Sequence, residues 1–162
     1  MDVDQLRVEW EIYRSARVRL LDAINLGFSN RDPLSEFSEA IVLAQLGGRL
    51  ADSRVQRGYD LTTEAGDQVQ VKYLANPTQQ WINEHHIRSD GLWDRYALVI
   101  YEELRPRRTL MFSAQLGAVG GALGKRHPRQ ESELQLTKRN HDQIVTENDR
   151  FQKLGVEVLP IQ

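Results

Sequence analysis

Four polar residues have the types and spacing that metal-assisted phosphodiester hydrolysis requires. Asp60 precedes a polar turn at residues 64–67, Gln70 and Lys72 follow that turn two positions apart, and Glu39 lies on a predicted helix upstream. The segments on either side of the turn alternate in polarity, which predicts two antiparallel strands. Because strand side chains alternate between faces, we expect Gln70 and Lys72 to point together toward Asp60.

Each residue type has a role in this chemistry. Hydrolysis needs positive charge near a phosphate that becomes more negative toward the transition state, and a water molecule positioned in line. Mg²⁺ meets both needs with one or two carboxylates, and we expect Mn²⁺ to substitute for it. Asp60 is the expected direct ligand, with the Gln70 amide oxygen and the Val71 backbone carbonyl beside it. Glu39 would bind the ion directly or through water, and Lys72 would orient the attacking water or stabilise developing charge.

The surrounding sequence predicts a single domain, residues 1–162, with an N-terminal helix within 1–30 and a core at 33–161. Apolar periodicity, caps and turn residues predict helices at 5–26, 33–46, 81–86 and 141–154. Strands are predicted on both sides of the turn at 64–67, and further strands at 96–101, 109–114 and 156–161. A turn is predicted at 105–107 and a loop or short helix at 117–124. This order predicts an α/β fold with a mixed sheet flanked by helices.

The arrangement resembles the PD-(D/E)XK nuclease superfamily, which has a restriction-endonuclease-like fold. In that family a helix provides a glutamate, one strand an aspartate, and the next strand an acidic residue and a lysine two positions apart. The matching positions are Glu39, Asp60, Gln70 and Lys72. Tyr59 stands where proline usually precedes the aspartate, and Gln70 replaces the acidic residue, as in Mrr-like restriction enzymes. Small Holliday-junction resolvases are also similar in the order of helix, hairpin and lysine. The resemblance implies a DNA endonuclease of restriction, defence or repair.

Composition limits the other classes of function. The chain has a net charge of −2, no cysteine and no apolar run of membrane-spanning length, so we expect a protein without disulfides and without a membrane segment. The start of the chain lacks the features of a secretory signal, and we expect a cytoplasmic location. Basic residues outnumber acidic ones between residues 104 and 141. The expected phosphate-backbone contacts are Arg105, Arg107, Arg108, Lys125, Arg126 and Arg129.

Several alternatives stay open at this stage. The chain could be a nuclease-fold module that binds nucleic acid or a partner protein without cleavage, or a structural or ligand-binding α/β domain. The glycines before Lys125 do not form a phosphate loop, because Val119 occupies the first glycine position. His85 and His86 are adjacent on the predicted helix 81–86, so they diverge and are expected at a surface helix end. The apolar, arginine-bearing first helix is a candidate homodimer interface.

Overall fold

A computed structural model describes residues 2–53, 58–89, 91–125 and 132–162. The described helices are α1 (Val3–Ala23), α2 (Pro33–Leu46), α3 (Leu116–Ala122), α4 (Lys138–Thr146) and α5 (Asn148–Gln152). The described strands are β1 (Arg49–Leu50), β2 (Leu61–Thr62), β3 (Gln68–Ala75), β4 (His85–Arg88), β5 (Arg95–Glu102), β6 (Arg105–Ser113), β7 (Glu133–Leu136) and β8 (Val156–Pro160). Within these ranges, none of the helices has both the length and the apolar composition needed to cross a membrane.

Six of the described strands form one mixed sheet in the order β1-β2-β3-β5-β6-β8. Strands β3 and β5 run parallel, with Gln70 opposite Tyr96 and Lys72 opposite Leu98, and the other neighbouring pairs are antiparallel. Strand β2 pairs with β3 only through residues 68 and 69, so it leaves the edge of β3 just before Gln70. The mixed sheet with helices packed against it confirms the predicted α/β class.

Each face of the sheet has its own apolar core, and β5 contributes to both. On one face α2 packs over Val69, Val71 and Val99. On the other face α3, α4, α5 and a separate two-stranded ribbon of β4 and β7 pack over Leu98 and Phe112. All of residues 96–101 are buried, as the unbroken apolar run predicts. Burying a large apolar side chain such as Leu98, Val99 or Ile100 contributes about 1.5–3 kcal/mol. β5 is therefore a stable central strand, and β3, which carries Gln70 and Lys72, pairs with it.

The helix α2 has the predicted boundaries. The Asp32 side chain caps its N-terminus by accepting a hydrogen bond from the Leu34 N–H at 3.1 Å, and Pro33 occupies the first helical position. Gly47 ends the helix with a φ of 71°, a conformation that favours glycine. Asp32 also accepts a hydrogen bond from the Tyr73 hydroxyl, so the start of α2 is fixed directly to β3.

The predicted helix at residues 81–86 is wrong. Residues 85–88 form β4, which pairs antiparallel with β7 so that Ile87 lies opposite Leu134. Ile87 is completely buried in the core under the main sheet. Pairing with a segment distant in the sequence decided this conformation, because six residues hold too little helical preference to resist it.

The predicted turn at residues 105–107 is also displaced. Strand β6 already begins at Arg105, and the connection from β5 turns at Glu103 and Leu104, with φ values of 53° and 58°. Two successive positive φ angles match the right-handed twist of a hairpin. Pro106 then lies opposite Tyr101 at an irregularity in the strand pairing, where its missing N–H is tolerated.

The predicted C-terminal helix at residues 141–154 is two helices. The helix α4 begins earlier because Thr137 and Asn140 form a capping box, and it ends at Thr146, so that Glu147 alone separates it from α5. The residue that caps the C-terminus of α5 is Lys153, so the expectation that Gly155 caps the last helix is wrong; Gly155 lies two residues further on, with a φ of 81°. The segment 117–124 is predicted as a loop or a short helix, and most of it forms the helix α3.

Candidate active site

Asp60 is fixed at the point where β2 joins the sheet. Its backbone N–H donates to the Val69 carbonyl at 2.9 Å, and its own carbonyl accepts from the Ala51 N–H at 2.9 Å. These bonds tie the residue to β3 on one side and to the segment after β1 on the other. The Asp60 side chain is therefore held beside β3 by backbone pairing, before any ligand contributes.

Asp60, Gln70 and Val71 converge on one point at the edge of β3. The Oδ2 atom of Asp60 accepts a hydrogen bond from the Val71 N–H at 2.8 Å and another from Nε2 of Gln70. The same Nε2 atom lies 3.5 Å from the Val71 carbonyl oxygen. The amide nitrogen thus lies between a carboxylate oxygen and a carbonyl oxygen, and rotation of the amide by 180° puts Oε1 in its place.

Gln70 and Lys72 lie on the same face of β3, as the alternating pattern predicted. Val69 and Val71 are buried under α2 on the opposite face, whereas Lys72 is exposed and Gln70 is half-buried. The ammonium of Lys72 is close enough to act on two neighbours: its positive charge adds to the effect of burial in lowering the pKa of His85, and it opposes the rise that burial causes in the pKa of Glu39. Lys72 therefore presents an accessible positive charge to the region around Asp60.

Glu39 reaches this region from α2, but another side chain already holds it. The carboxylate is 2% exposed and accepts a forked pair of hydrogen bonds from the Arg31 guanidinium, at 2.8 and 3.4 Å. Burial raises the pKa of the Glu39 carboxyl, and the negative charge of Asp60 raises it further, while Arg31 and Lys72 oppose the shift. This buried carboxylate is paired with Arg31, a residue that no local sequence pattern singles out.

Glu36 belongs to the same buried network. It is 1% exposed, accepts a hydrogen bond from the Ser29 hydroxyl at 2.6 Å, and lies 3.6 Å from Arg31. One guanidinium therefore serves two buried carboxylates, Glu36 and Glu39. Removing one partner of a buried ion pair costs about 3–5 kcal/mol, so Arg31 is expected to be a major structural residue.

His85 and Tyr96 are two further side chains beside the site. Tyr96 lies opposite Gln70 in the sheet, and its hydroxyl is 2.8 Å from Nε2 of His85. Burial, with the charges of His86 and Lys72, lowers the pKa of His85 to about 4. Burial raises the pKa of Tyr96, and Asp60 raises it further. The expected surface helix end at His85 is therefore wrong: the imidazole is neutral and packed near Lys72. Only the strand pairing reveals this position, and no local pattern signals it.

The three predicted phosphate contacts on β6, Arg105, Arg107 and Arg108, lie away from Asp60. Arg105 is opposite Glu102 in the sheet, whereas Gln70 is opposite Tyr96, so the two are separated by about 20 Å along β5. Arg107 is bound to Glu103 at 3.7 Å, and Arg108 faces α4 on the side of His141. The structure does not bring these arginines together with the four polar residues.

The second predicted basic group is described only at Lys125. Its backbone N–H donates to the Gly120 carbonyl at 2.9 Å, just after α3, and the residue lines an open cavity together with Arg139. Arg126 and Arg129 lie outside the described residues. The contribution of this group to a phosphate-binding surface stays a prediction.

The donor set suits a weakly bound hard cation. No group of three or more His, Cys, Asp and Glu side chains is arranged to hold a metal ion in the described part of the chain. What Asp60, Gln70 and Val71 offer is one carboxylate and two neutral oxygens, and Mg²⁺ accepts such ligands when waters and phosphate oxygens complete its shell. We therefore expect low affinity before a phosphate is bound.

Comparisons with protein-family models and with curated proteins find no match to this chain. The functional interpretation therefore depends on the geometry around Asp60 and on the sequence pattern.

Proposed function

We propose that this chain is a metal-dependent phosphodiesterase that cleaves DNA, built on a restriction-endonuclease-like fold and acting in restriction, defence or repair in the cytoplasm. The observation that carries the proposal is the convergence of the Asp60 carboxylate, the Gln70 amide and the Val71 carbonyl on one point. Lys72 projects from the same face of the same strand as Gln70. Oxygen donors with an adjacent ammonium are what phosphate hydrolysis needs.

Each side chain has a defined task in this proposal. Asp60, Oε1 of Gln70 and the Val71 carbonyl would hold Mg²⁺ or Mn²⁺, and the bound ion supplies positive charge opposite the phosphate. Lys72 orients a water molecule toward phosphorus and stabilises the negative charge that develops on the phosphate oxygens. Glu39 adds negative charge near Asp60 from the side of α2, and the hydrogen bonds from Arg31 hold the Glu39 side chain in place.

Cleavage of plasmid DNA tests the proposal. We expect the parent protein to convert supercoiled plasmid with Mg²⁺ or Mn²⁺, and Lys72→Ala and Asp60→Asn each to lose about 100-fold in rate or more. Matched controls are Lys153→Ala and Asp149→Asn, which alter exposed residues of the C-terminal region and should retain the parent rate. Equal activity of Asp60→Asn and Asp149→Asn would contradict the proposed centre.

A second candidate function is a binding module of the same fold that does not cleave. The observation that favours it is that protein donors already engage two proposed ligands: Nε2 of Gln70 donates to Asp60, and Arg31 donates to Glu39. In this case the protein binds DNA or a partner protein, shows no cleavage with either metal, and releases no heat when titrated with Mn²⁺. A structural or small-ligand-binding domain would show neither cleavage nor salt-sensitive retention on DNA.

A further inference from the structure

A row of large apolar side chains runs along the exposed helix α1. The row, here called the α1 seam, consists of Val3, Leu6, Trp10 and Tyr13, which are 62%, 49%, 60% and 47% exposed. Their spacing alternates between three and four residues, which is the a and d pattern of a two-stranded coiled coil. Only Leu21 of this helix is fully buried in the described structure. The seam therefore faces solvent along more than half of α1.

The seam has a defined end. Arg17 occupies the next a position, and its guanidinium donates to the carbonyls of Ser29 and Arg31 at 2.8 and 3.0 Å. These bonds anchor the base of α1 to the loop before α2, and they place a charge where a longer seam would need an apolar residue. Residues 2–16 remain free to pair, over a length of about 22 Å.

We propose that the α1 seam binds the α1 seam of a second copy of this chain, as a parallel two-stranded coil. Charges beside the seam select this occupant and this direction. Glu9 occupies a g position, and the N-cap residue Asp2 lies one heptad before it, whereas Arg7 and Arg14 occupy e positions. In a parallel pair each g residue lies beside the e residue five positions later on the other helix, so Asp2 lies beside Arg7 and Glu9 beside Arg14.

The same charges oppose an antiparallel pair. There, e positions face e positions and g positions face g positions, which brings Arg7 to Arg14 and acidic residues to each other. Two-fold symmetry repeats each favourable contact of the parallel pair, so the surface is complementary to itself.

Existing contacts within α1 do not block this pairing. Arg7 lies 3.5 Å from Asp4, and Arg14 lies 2.8 Å from Glu11 on the same helix. All four side chains are more than half exposed, and such pairs are worth little, so the arginines exchange partners at small cost. This interface goes beyond the proposed nuclease function and does not depend on it.

Sedimentation velocity across a wide concentration range tests the interface. We expect the parent chain to form a dimer as concentration rises, and Leu6→Lys to be monomeric because it places a charge in the seam. The matched control is Val8→Lys, since Val8 is 59% exposed on the opposite side of α1. It should dimerise like the parent. A parent chain that stays monomeric up to its solubility limit overturns the proposal, and so does equal loss in both lysine variants.

Charge reversal tests the direction of the pairing. Glu9→Arg and Arg14→Glu each turn two attractive contacts into repulsive ones, so each alone should weaken dimerisation by about tenfold. An equimolar mixture of the two variants restores both contacts and should dimerise as well as the parent. Stronger dimerisation of Arg14→Glu alone would show an antiparallel pair and overturn the parallel arrangement.

Discussion

The substitution Gln70→Glu examines the arrangement around Asp60 most directly. In the structure the Gln70 amide donates to Oδ2 of Asp60, and the Val71 N–H donates to the same oxygen at 2.8 Å. Glutamate keeps nearly the same shape but replaces the donating amide with a second negative charge. It removes one hydrogen bond, adds repulsion, and supplies the carboxylate that the cation site lacks.

The size of the effect follows from the distance between the charges. Two unit charges 4 Å apart interact by about 4 kcal/mol at an effective dielectric constant of about 20. Both side chains are half-exposed, so solvent screens part of this repulsion. We expect Gln70→Glu to lower the free energy of unfolding by about 1–3 kcal/mol in the presence of a chelator. For a chain of this size, that lowers Tm by about 2–10 °C.

Thermal unfolding measures both the loss of stability of Gln70→Glu in the absence of metal and the stabilisation that Mn²⁺ provides. A metal that binds only the folded protein stabilises it by mass action, and two carboxylates bind more tightly than one. Mn²⁺ should therefore raise Tm more in Gln70→Glu than in the parent, and plasmid cleavage at limiting metal should be faster.

The matched control is Gln135→Glu, which makes the same change at a half-buried position of β7, in the separate two-stranded ribbon. Two results would contradict this arrangement of Asp60 and Gln70: a Tm of Gln70→Glu in chelator equal to that of the parent, or an equal rise in the Tm of both proteins on adding Mn²⁺.

Two further substitutions test the surroundings of the site. Arg31→Ala removes one guanidinium partner from the buried carboxylates Glu36 and Glu39 and should cost about 3–5 kcal/mol in urea unfolding at neutral pH, with part of the loss recovered as pH falls and the carboxyls take up protons. The exposed control Arg150→Ala should cost less than about 1 kcal/mol, and equal costs would refute the buried network. Burial lowers the pKa of His85 to about 4 in the folded protein, whereas an unfolded histidine has a pKa of about 6.5. Stability therefore falls as pH drops from about 6.5 toward 4, because the unfolded chain takes up a proton that the buried imidazole does not. We expect His85→Gln to show a flatter decline of stability across that window, and an unchanged decline would show that the imidazole is not buried and neutral.

The sequence predicted those features that local rules control. Asp32, Pro33 and Gly47 determine the limits of α2, because a cap, a fixed φ and a left-handed residue act within one turn of helix. The period of two along β3 correctly assigned Gln70 and Lys72 to one face. The apolar run of β5 correctly predicted a central strand.

Only the tertiary structure decided the features that depend on residues distant in sequence. β4 is a strand because β7 pairs with it, and His85 is consequently packed beside Tyr96 instead of ending a helix. Arg31 emerged as the partner of Glu39 because the loop before α2 folds back over that helix. The arginines of β6 lie toward the other end of the sheet, since register displaces Arg105 by about 20 Å and Arg108 by about 13 Å along β5 from the level of Gln70. Local sequence selects dihedral angles and faces, whereas burial and strand register arise only when separate segments meet.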